Sequence, residues 1–388
     1  LSDKVPSRRY SVLSTQYAVR GTRSVLGTQY SVLRTRLLVL VWLCMATLAP
    51  ACFSQESPAA DPGFKSPVSP EESLQHFKLM PGLQIELVAS EPQVIDPVAI
   101  RFDEFGKMWV VEMRDYPHGP AEGEEPKSVI KTLEDRDGDG HFETATVFAD
   151  KLLFVTGVAP WRGGVIVTMA GEVAYMKDTD GDGKVDRRET WYKGFAQENS
   201  QLRANHPRFG LDNHVYIANG LRGGSVIDAR KPDSKLVPLN GKDFRFDPTT
   251  SEYEALTGAG QFGLTFDDFG HRFVCSNRNP LKHIVLEDRD IRRNSRYAPT
   301  TAVHDVATAG EASRVFPISR AWTTSNLHAG QFTAACGCLI YRGNGLNKRF
   351  YGNGFTCDPT GNFVHRETLN SQGATFSARP GRDGVEFL

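Results

Sequence analysis

One phrase recurs along this chain: apolar residues, an Asp, a turn ending in Gly or Asn, then apolar residues again. It stands at 100–111 (IRFDEFGKMWVV), 209–217 (FGLDNHVYI), 264–274 (LTFDDFGHRFV) and 355–364 (FTCDPTGNFV). A variant at 158–167 (VAPWRGGVIV) turns through Gly163 and Gly164. Asp and Gly close tight turns, and flanks that alternate or run apolar are buried strands, so each phrase predicts a β-hairpin. The units start near Pro97, Thr156, Ala204, Gln261 and Gln331, roughly 50–70 residues apart, the length of a propeller blade with insertions. The expected fold is all-β, a β-propeller of about five to six four-stranded blades. Because little chain follows the last phrase, that blade is expected to be incomplete and the reading frame truncated. Gly (36) and Pro (22) supply the turns that such a fold needs.

The propeller is expected over 73–388. Residues 1–36 carry seven basic residues and one acid, a net +6, so the rest of a chain of formal charge -1 carries -7. This leader repeats itself (SVLSTQY at 11–17, SVLGTQY at 24–30, SVLRT at 31–35), and Gly27 with its hydroxyl and β-branched residues opposes a coiled coil. It reads as spurious upstream sequence. Residues 37–51 combine a short apolar run with Ala49-Pro-Ala51, a secretory signal with its cleavage site. Cys52 offers a second route, a lipid anchor. The chain is thus expected to be exported, periplasmic or envelope-associated. Residues 52–72, rich in Pro, Ser and acids, form a linker. Balanced charge excludes a chain-wide nucleic-acid-binding field, and a mean hydropathy of -0.36 excludes a polytopic membrane protein.

Two loops are candidate calcium sites. Asp178, Asp180, Asp182, Asp186 and Glu189 occupy positions one, three, five, nine and twelve of an EF-hand-type loop, with Gly183 at six. Flanking strand patterns make it a calcium loop in a hairpin; a polar β-turn is the competing reading. The earlier loop, Asp135 to Thr146, has Thr at position twelve and reads as a turn. Gly258, Gly260 and Gly263 satisfy G-x-G-x-x-G, but a strand follows where the dinucleotide fingerprint needs a helix, so they are blade lead-in turns. Four cysteines (Cys275, Cys336, Cys338, Cys357) lie in the body; export permits disulfides, whose pairing the sequence leaves open. No C-x-x-C-H is present, so the chain has no c-type haem site of its own.

Residues just before the first strand of a blade and just after its second converge on one mouth of a propeller, the default place for a site. That rule selects Glu112, Arg114, Arg203, Asn205, His206, Asn219, Arg222, Gln261, Asn277, Arg278, His328, His365 and Arg366.

Residues 85–92 (IELVASEP), 109–117 (WVVEMRDYP), 156–164 (TGVAPWRGG), 210–213 (GLDN) and 332–337 (FTAACG) together resemble a family. It is the membrane-bound dehydrogenases of planctomycete bacteria, whose N-terminal propeller is similar to the glucose/sorbosone dehydrogenases. The resemblance implies a propeller that binds pyrroloquinoline quinone (PQQ) and oxidises a sugar or polyol by base-assisted hydride transfer. It also implies a cytochrome electron acceptor, on a further domain or separate. Aligned on 201–210 (QLRANHPRFG), the base His of the glucose/sorbosone dehydrogenases falls on Leu202, and His206 stands four residues on. The implied roles are His206 or His328 as base, with Arg203 neutralising developing charge. Arg222, Asn219, Asn277, His365 and Arg366 are the expected cofactor contacts. Leu202 favours the alternative, a non-catalytic propeller that binds glycans or protein partners at the same mouth.

Overall fold

The structure, a computed structural model, describes residues 68–231, 233–317 and 328–388. The leader, the signal segment and all of the linker before Val68 lie outside the described residues.

The recurring phrase works as an Asx turn. Asp103 Oδ1 accepts the backbone N–H groups of Phe105 and Lys107, both at 3.0 Å, and Asp267 Oδ1 accepts those of Phe269 and His271, both at 2.9 Å. The Gly or Asn that ends each turn is left-handed, with φ of 82° at Gly106, 60° at Asn213, 83° at Gly270 and 53° at Asn362. A carboxylate that occupies two backbone donors, followed by a residue tolerant of positive φ, makes the reversal local and cheap.

These turns build five antiparallel blades. The first holds β1 (Pro97–Phe102), β2 (Met108–Glu112), β3 (Ser128–Glu134) and β4 (Thr144–Leu152). The second holds β5 (Gly157–Trp161), β6 (Gly164–Met169), β7 (Glu172–Lys177) and β8 (Arg187–Phe195). In the third, β9 (Asn205–Phe209) and β10 (Val215–Ala218) are followed by a hairpin, β11 (Gly224–Asp228) and β12 (Val237–Pro238), before β13 (Lys242–Phe246) and β14 (Tyr253–Thr257). That hairpin leaves its own blade and pairs with β8, extending the second blade to six strands. The fourth holds β15 (Leu264–Phe266), β16 (Arg272–Ser276), β17 (Asn279–Ile284) and β18 (Val303–Asp305). The fifth holds β19 (Cys336–Ile340), β20 (Gly354–Asp358), β21 (Phe363–Gln372) and β22 (Thr375–Pro380).

The chain therefore forms a β-propeller of five blades among the described residues, and the fifth has all four strands. The expectation of an incomplete last blade is corrected by the position of its phrase. In the first, third and fourth blades the phrase is the turn between the inner two strands, whereas 355–364 joins β20 to β21, the second turn. A longer connection, 341–353, makes the first turn of that blade.

Neighbouring blades pack through their inner strands in the order β1, β5, β9, β15, β19. The core lies in these seams. Ala99, Trp109, Val111, Val158 and Val167 fill the first, and Trp191, Tyr175, Val215, Ile217 and Phe246 the second. Tyr175 and Trp191 stack at 5.1 Å while Trp161 sits edge-on to both. Rings in these orientations add to the stabilisation from burying their area.

Candidate functional site

The best-defined polar constellation is at the start of β9. The segment before it is fixed by Arg203, whose guanidinium donates to the carbonyls of Gln197 (3.0 Å) and Asn199 (3.3 Å) and lies 3.8 Å over the Phe154 ring. Thr156 Oγ donates to the carbonyl of Ala204 at 2.6 Å, tying the second blade to this lead-in. A Cβ at Gly157 would lie 2.7 Å from Pro207 Cδ, so only glycine lets β5 approach β9 here.

Asn205 is buried, and its Nδ2 donates to the carbonyls of Arg203 (2.8 Å) and Gln261 (2.7 Å). Two carbonyl partners assign that atom as the amide nitrogen, so Oδ1 is what faces His206 Nδ1 at 3.1 Å. His206 must then carry its proton on Nδ1 when neutral, which leaves Nε2 as the free lone pair. Nε2 makes no hydrogen bond to any described residue. His206 is half-buried and held at φ 51°, a left-handed conformation that is uncommon outside glycine.

Its charge state follows from the surroundings. Burial, then Arg101, then Arg208 hold its pKa well below the ordinary 6.5, so the ring is neutral at physiological pH. Arg208 lies two residues along β9 from His206, across the bulge that breaks the β9–β10 register between Asn205 and Arg208. Arg101 lies on β1. Among the described residues no carboxylate pairs with either, and buried guanidinium nitrogens of both (Arg101 Nε and Nη2, Arg208 Nε) have no hydrogen-bond partner. Arg101 donates only to the carbonyl of Ile100, at 2.6 Å. Burial first and Arg208 second lower its pKa to about 9. An arginine charge displaced this far is one that lacks a counter-ion.

Arg101 and Arg208 were not among the residues selected from sequence. The available signal was an Arg inside an inner strand with no acid beside it in the pairing register.

The remaining expected residues are dispersed. His328 opens a short turn, its carbonyl accepting Gln331 N–H at 2.9 Å, and no hydrogen bond or ring contact joins it to His206. Arg222 is exposed in the loop after β10. Asn219 is buried, but its amide is committed to that loop: Nδ2 donates to the carbonyls of Leu239 (2.7 Å) and Lys242, and Oδ1 accepts Gly223 N–H at 2.9 Å. Asn277 donates its backbone N–H to Gln261 Oε1 at 3.0 Å, joining the lead-in of β15 to the end of β16.

His365 and Arg366 lie on β21, the third strand of its blade, because the phrase that located them forms the second turn. Arg366 is spent on Asn353 Oδ1 (2.9 Å) and the carbonyl of Gly381. The strand-two end of the fifth blade is instead Asp358, whose Oδ2 accepts the N–H groups of Thr333 and Ala334, both at 3.0 Å.

His365 is buried between two carboxylates, Glu386 at 2.6 Å from Nδ1 and Glu367 at 3.1 Å from Nε2. Burial opposes its charge, but the hydrogen bonds to Glu367 and Glu386 outweigh burial and raise its pKa to about 9. A pKa raised on folding stabilises the fold fully below the unfolded value of about 6.5 and loses that contribution as pH rises through about 9, on the order of 3 kcal/mol. Urea unfolding at pH 6.5 and 9.5 should show this loss in the native chain and not in His365→Gln, which is destabilised at both.

In the later acidic loop Asp178, Asp180 and Asp186 converge. Asp178 accepts the N–H groups of Gly181 (2.6 Å) and Gly183 (2.8 Å), and Asp182 that of Lys184 (2.8 Å). Glu189 stands apart on β8, 3.3 Å from Arg187. The earlier loop, read as a turn, gathers four carboxylates, Asp135, Asp137, Asp139 and Glu143. The two loops join β3 to β4 and β7 to β8, equivalent turns of adjacent blades. The second of them approaches β4 of the first blade: a Cβ on Gly183 would lie 3.3 Å from Thr146 Cγ2.

A family profile described as a domain of unknown function, DUF7133, matches residues 69–388, the whole of the propeller. The chain belongs to the DUF7133 family. No curated protein matches it. Several solved structures are similar to this DUF7133 propeller at low identity. The PQQ-bound aldose sugar dehydrogenase of Streptomyces coelicolor is 12% identical at a TM-score of 0.39, over 74% of this chain and 80% of that one. A glucose dehydrogenase-type oxidoreductase of Thermus thermophilus is 14% identical at 0.45, over 76% and 86%. An auxiliary nutrient binding protein of Bacteroides thetaiotaomicron is 13% identical at 0.42, over 73% and 56%. The group spans dehydrogenases and a binding protein, and likeness of this degree carries no chemistry across to DUF7133.

Proposed function

We propose that this DUF7133 propeller is the catalytic domain of an exported quinoprotein-type dehydrogenase that oxidises a sugar or polyol, with His206 as general base. The observation that carries the proposal is a neutral imidazole with an anchored Nδ1–H and a free Nε2, under the influence of two buried guanidiniums that have no counter-ion.

The donor set fits a quinone bearing several carboxylates such as PQQ. Unpaired buried cations are costly to the fold, and an anion beside Arg101 and Arg208 would remove that cost. Bound there, the quinone would supply a two-electron acceptor for the hydride leaving the substrate carbon. The chain's own part is proton transfer and orientation. Asn205 holds the His206 ring so that Nε2 can take the hydroxyl proton as the carbonyl forms, and Gln261, through its carbonyl, holds Asn205. Arg203 is a positioning residue, fixing the lead-in rather than facing charge. A separate acceptor, such as a c-type cytochrome, would then remove the electrons.

A specific observation favours a second reading. Leu202 stands where the resemblance to the glucose/sorbosone dehydrogenases puts their base, and an imidazole of depressed pKa is a weak one. On this reading the mouth binds a glycan without turning it over.

The full chain, incubated with PQQ and calcium, should reduce a redox dye when offered aldoses or polyols and do nothing without PQQ. Failure to bind PQQ would sink the dehydrogenase reading, and sugar binding without PQQ binding would establish the second.

Calcium is proposed at the two acidic loops. Added calcium should raise the melting temperature by roughly 5 °C, and Asp178→Ala with Asp135→Ala should abolish the rise. Export is proposed through residues 37–51, and N-terminal sequencing of protein recovered from the cell envelope should begin near Cys52.

A further inference from the structure

Four thiols meet at the seam between the fourth and fifth blades. Cys275 lies on β16, Cys336 and Cys338 on β19, and Cys357 on β20. Cys275 and Cys338 are buried on opposite sides of the seam. Both sulfurs crowd one backbone point: a Cβ on Gly263 would lie 3.0 Å from Cys275 Sγ and 3.3 Å from Cys338 Sγ. Gly263 has no side chain to part them, and its lead-in position brings the strand ends together. Cys336 and Cys357 are direct register partners on antiparallel strands, one half-buried and the other exposed. Residues opposite one another in such a ladder have Cα atoms about 4.5–5.5 Å apart, inside the range that a disulfide spans.

We propose that these residues form two disulfides, Cys275–Cys338 across the blade seam and Cys336–Cys357 within the fifth blade. A tetrathiolate metal centre is the less favoured alternative, because among the described residues these sulfurs do not gather into one group of metal-binding spacing. For each bond, two thiols lose two protons and two electrons. A disulfide oxidant, glutathione disulfide in the test, takes them and becomes two thiols. The proposal does not rest on the dehydrogenase reading. It does touch the same region, since the carbonyl of Cys275 accepts Gln261 N–H at 2.9 Å and Gln261 in turn holds Asn205.

The test uses the full chain refolded with glutathione disulfide, alkylated without reduction, digested and mapped by mass spectrometry. Because Cys336 and Cys338 fall in one tryptic peptide, double variants assign the pairing. Cys336→Ser/Cys357→Ser should keep a link from Cys275 to Cys338, and Cys275→Ser/Cys338→Ser should keep one from Cys336 to Cys357. Cys275→Ser/Cys336→Ser should keep neither. Oxidation of the native chain should raise the melting temperature by roughly 5 °C. Alkylation of all four of Cys275, Cys336, Cys338 and Cys357 after oxidation, crossed pairing among them, or thiols masked by a co-purified metal ion would each overturn the proposal.

Discussion

Replacing His206 by Asn should lower the turnover of PQQ-dependent dye reduction by about a thousandfold while leaving PQQ binding within a few-fold of native. Asn is the informative replacement because the site demands φ 51°, and Asn tolerates that conformation better than most side chains. It cannot accept the substrate proton, so a folded variant that binds but does not turn over isolates the base. The pH profile carries a second signature. A base must be neutral, and the pKa of His206 is depressed by burial and then by Arg101 and Arg208. Burial, the first of these causes, persists when PQQ is bound, so in the native protein kcat/KM should hold through neutral pH and fall on an acid limb below 6.5. In His206→Asn that acid limb should vanish.

Arg101→Met and Arg208→Met should separate stability from function. A guanidinium held for architecture has carbonyl or carboxylate partners, as Arg203 has, and its loss destabilises. Arg101 reaches only the carbonyl of its chain neighbour Ile100, and neither Arg101 nor Arg208 has a carboxylate partner among the described residues, so removing either charge should leave the free protein as stable as native or more stable by about 1–2 kcal/mol in urea unfolding. PQQ affinity should drop about a hundredfold for each, the loss expected of one charged hydrogen-bonding contact. The loss should be smaller at high salt, where the native contact is itself screened. A variant that unfolds easily and binds PQQ normally would mean that these arginines belong to the fold alone.

The contrast between these arginines and the residues chosen by position shows what was legible. The Asp-to-Gly phrase could be read because an Asx turn and a left-handed residue are local chemistry, and Asp103 with Gly106 or Asp267 with Gly270 needs no tertiary partner to close its hairpin. The same locality made the fifth blade misleading. Asp358 and Asn362 close a hairpin equally well between the second and third strands, and the phrase alone does not say which turn it is. His365 and Arg366 were placed at the mouth for that reason, although they serve the fifth blade's own packing. The hairpin β11–β12 could not be foreseen either, because its partner β8 belongs to the preceding blade. His206 was legible from its position before an inner strand. Its tautomer was not, since that depends on Gln261, a residue 55 places away in sequence that holds Asn205 through its carbonyl. Arg101 and Arg208 were hidden for a related reason: whether an inner-strand side chain faces a seam or the site is decided by blade packing.

The central claim is that His206 is a neutral base, protonated on Nδ1, set beside a cationic cradle for an anionic quinone. The direct measurement is a pH titration of the His206 ring by nitrogen-15 NMR in the full chain, without and with PQQ. The account predicts the Nδ1–H tautomer from pH 8 down to well below 6.5 in the free protein. Added PQQ should move the titration upward as its carboxylates offset Arg101 and Arg208. An ordinary titration near 6.5 that PQQ leaves unchanged would contradict it.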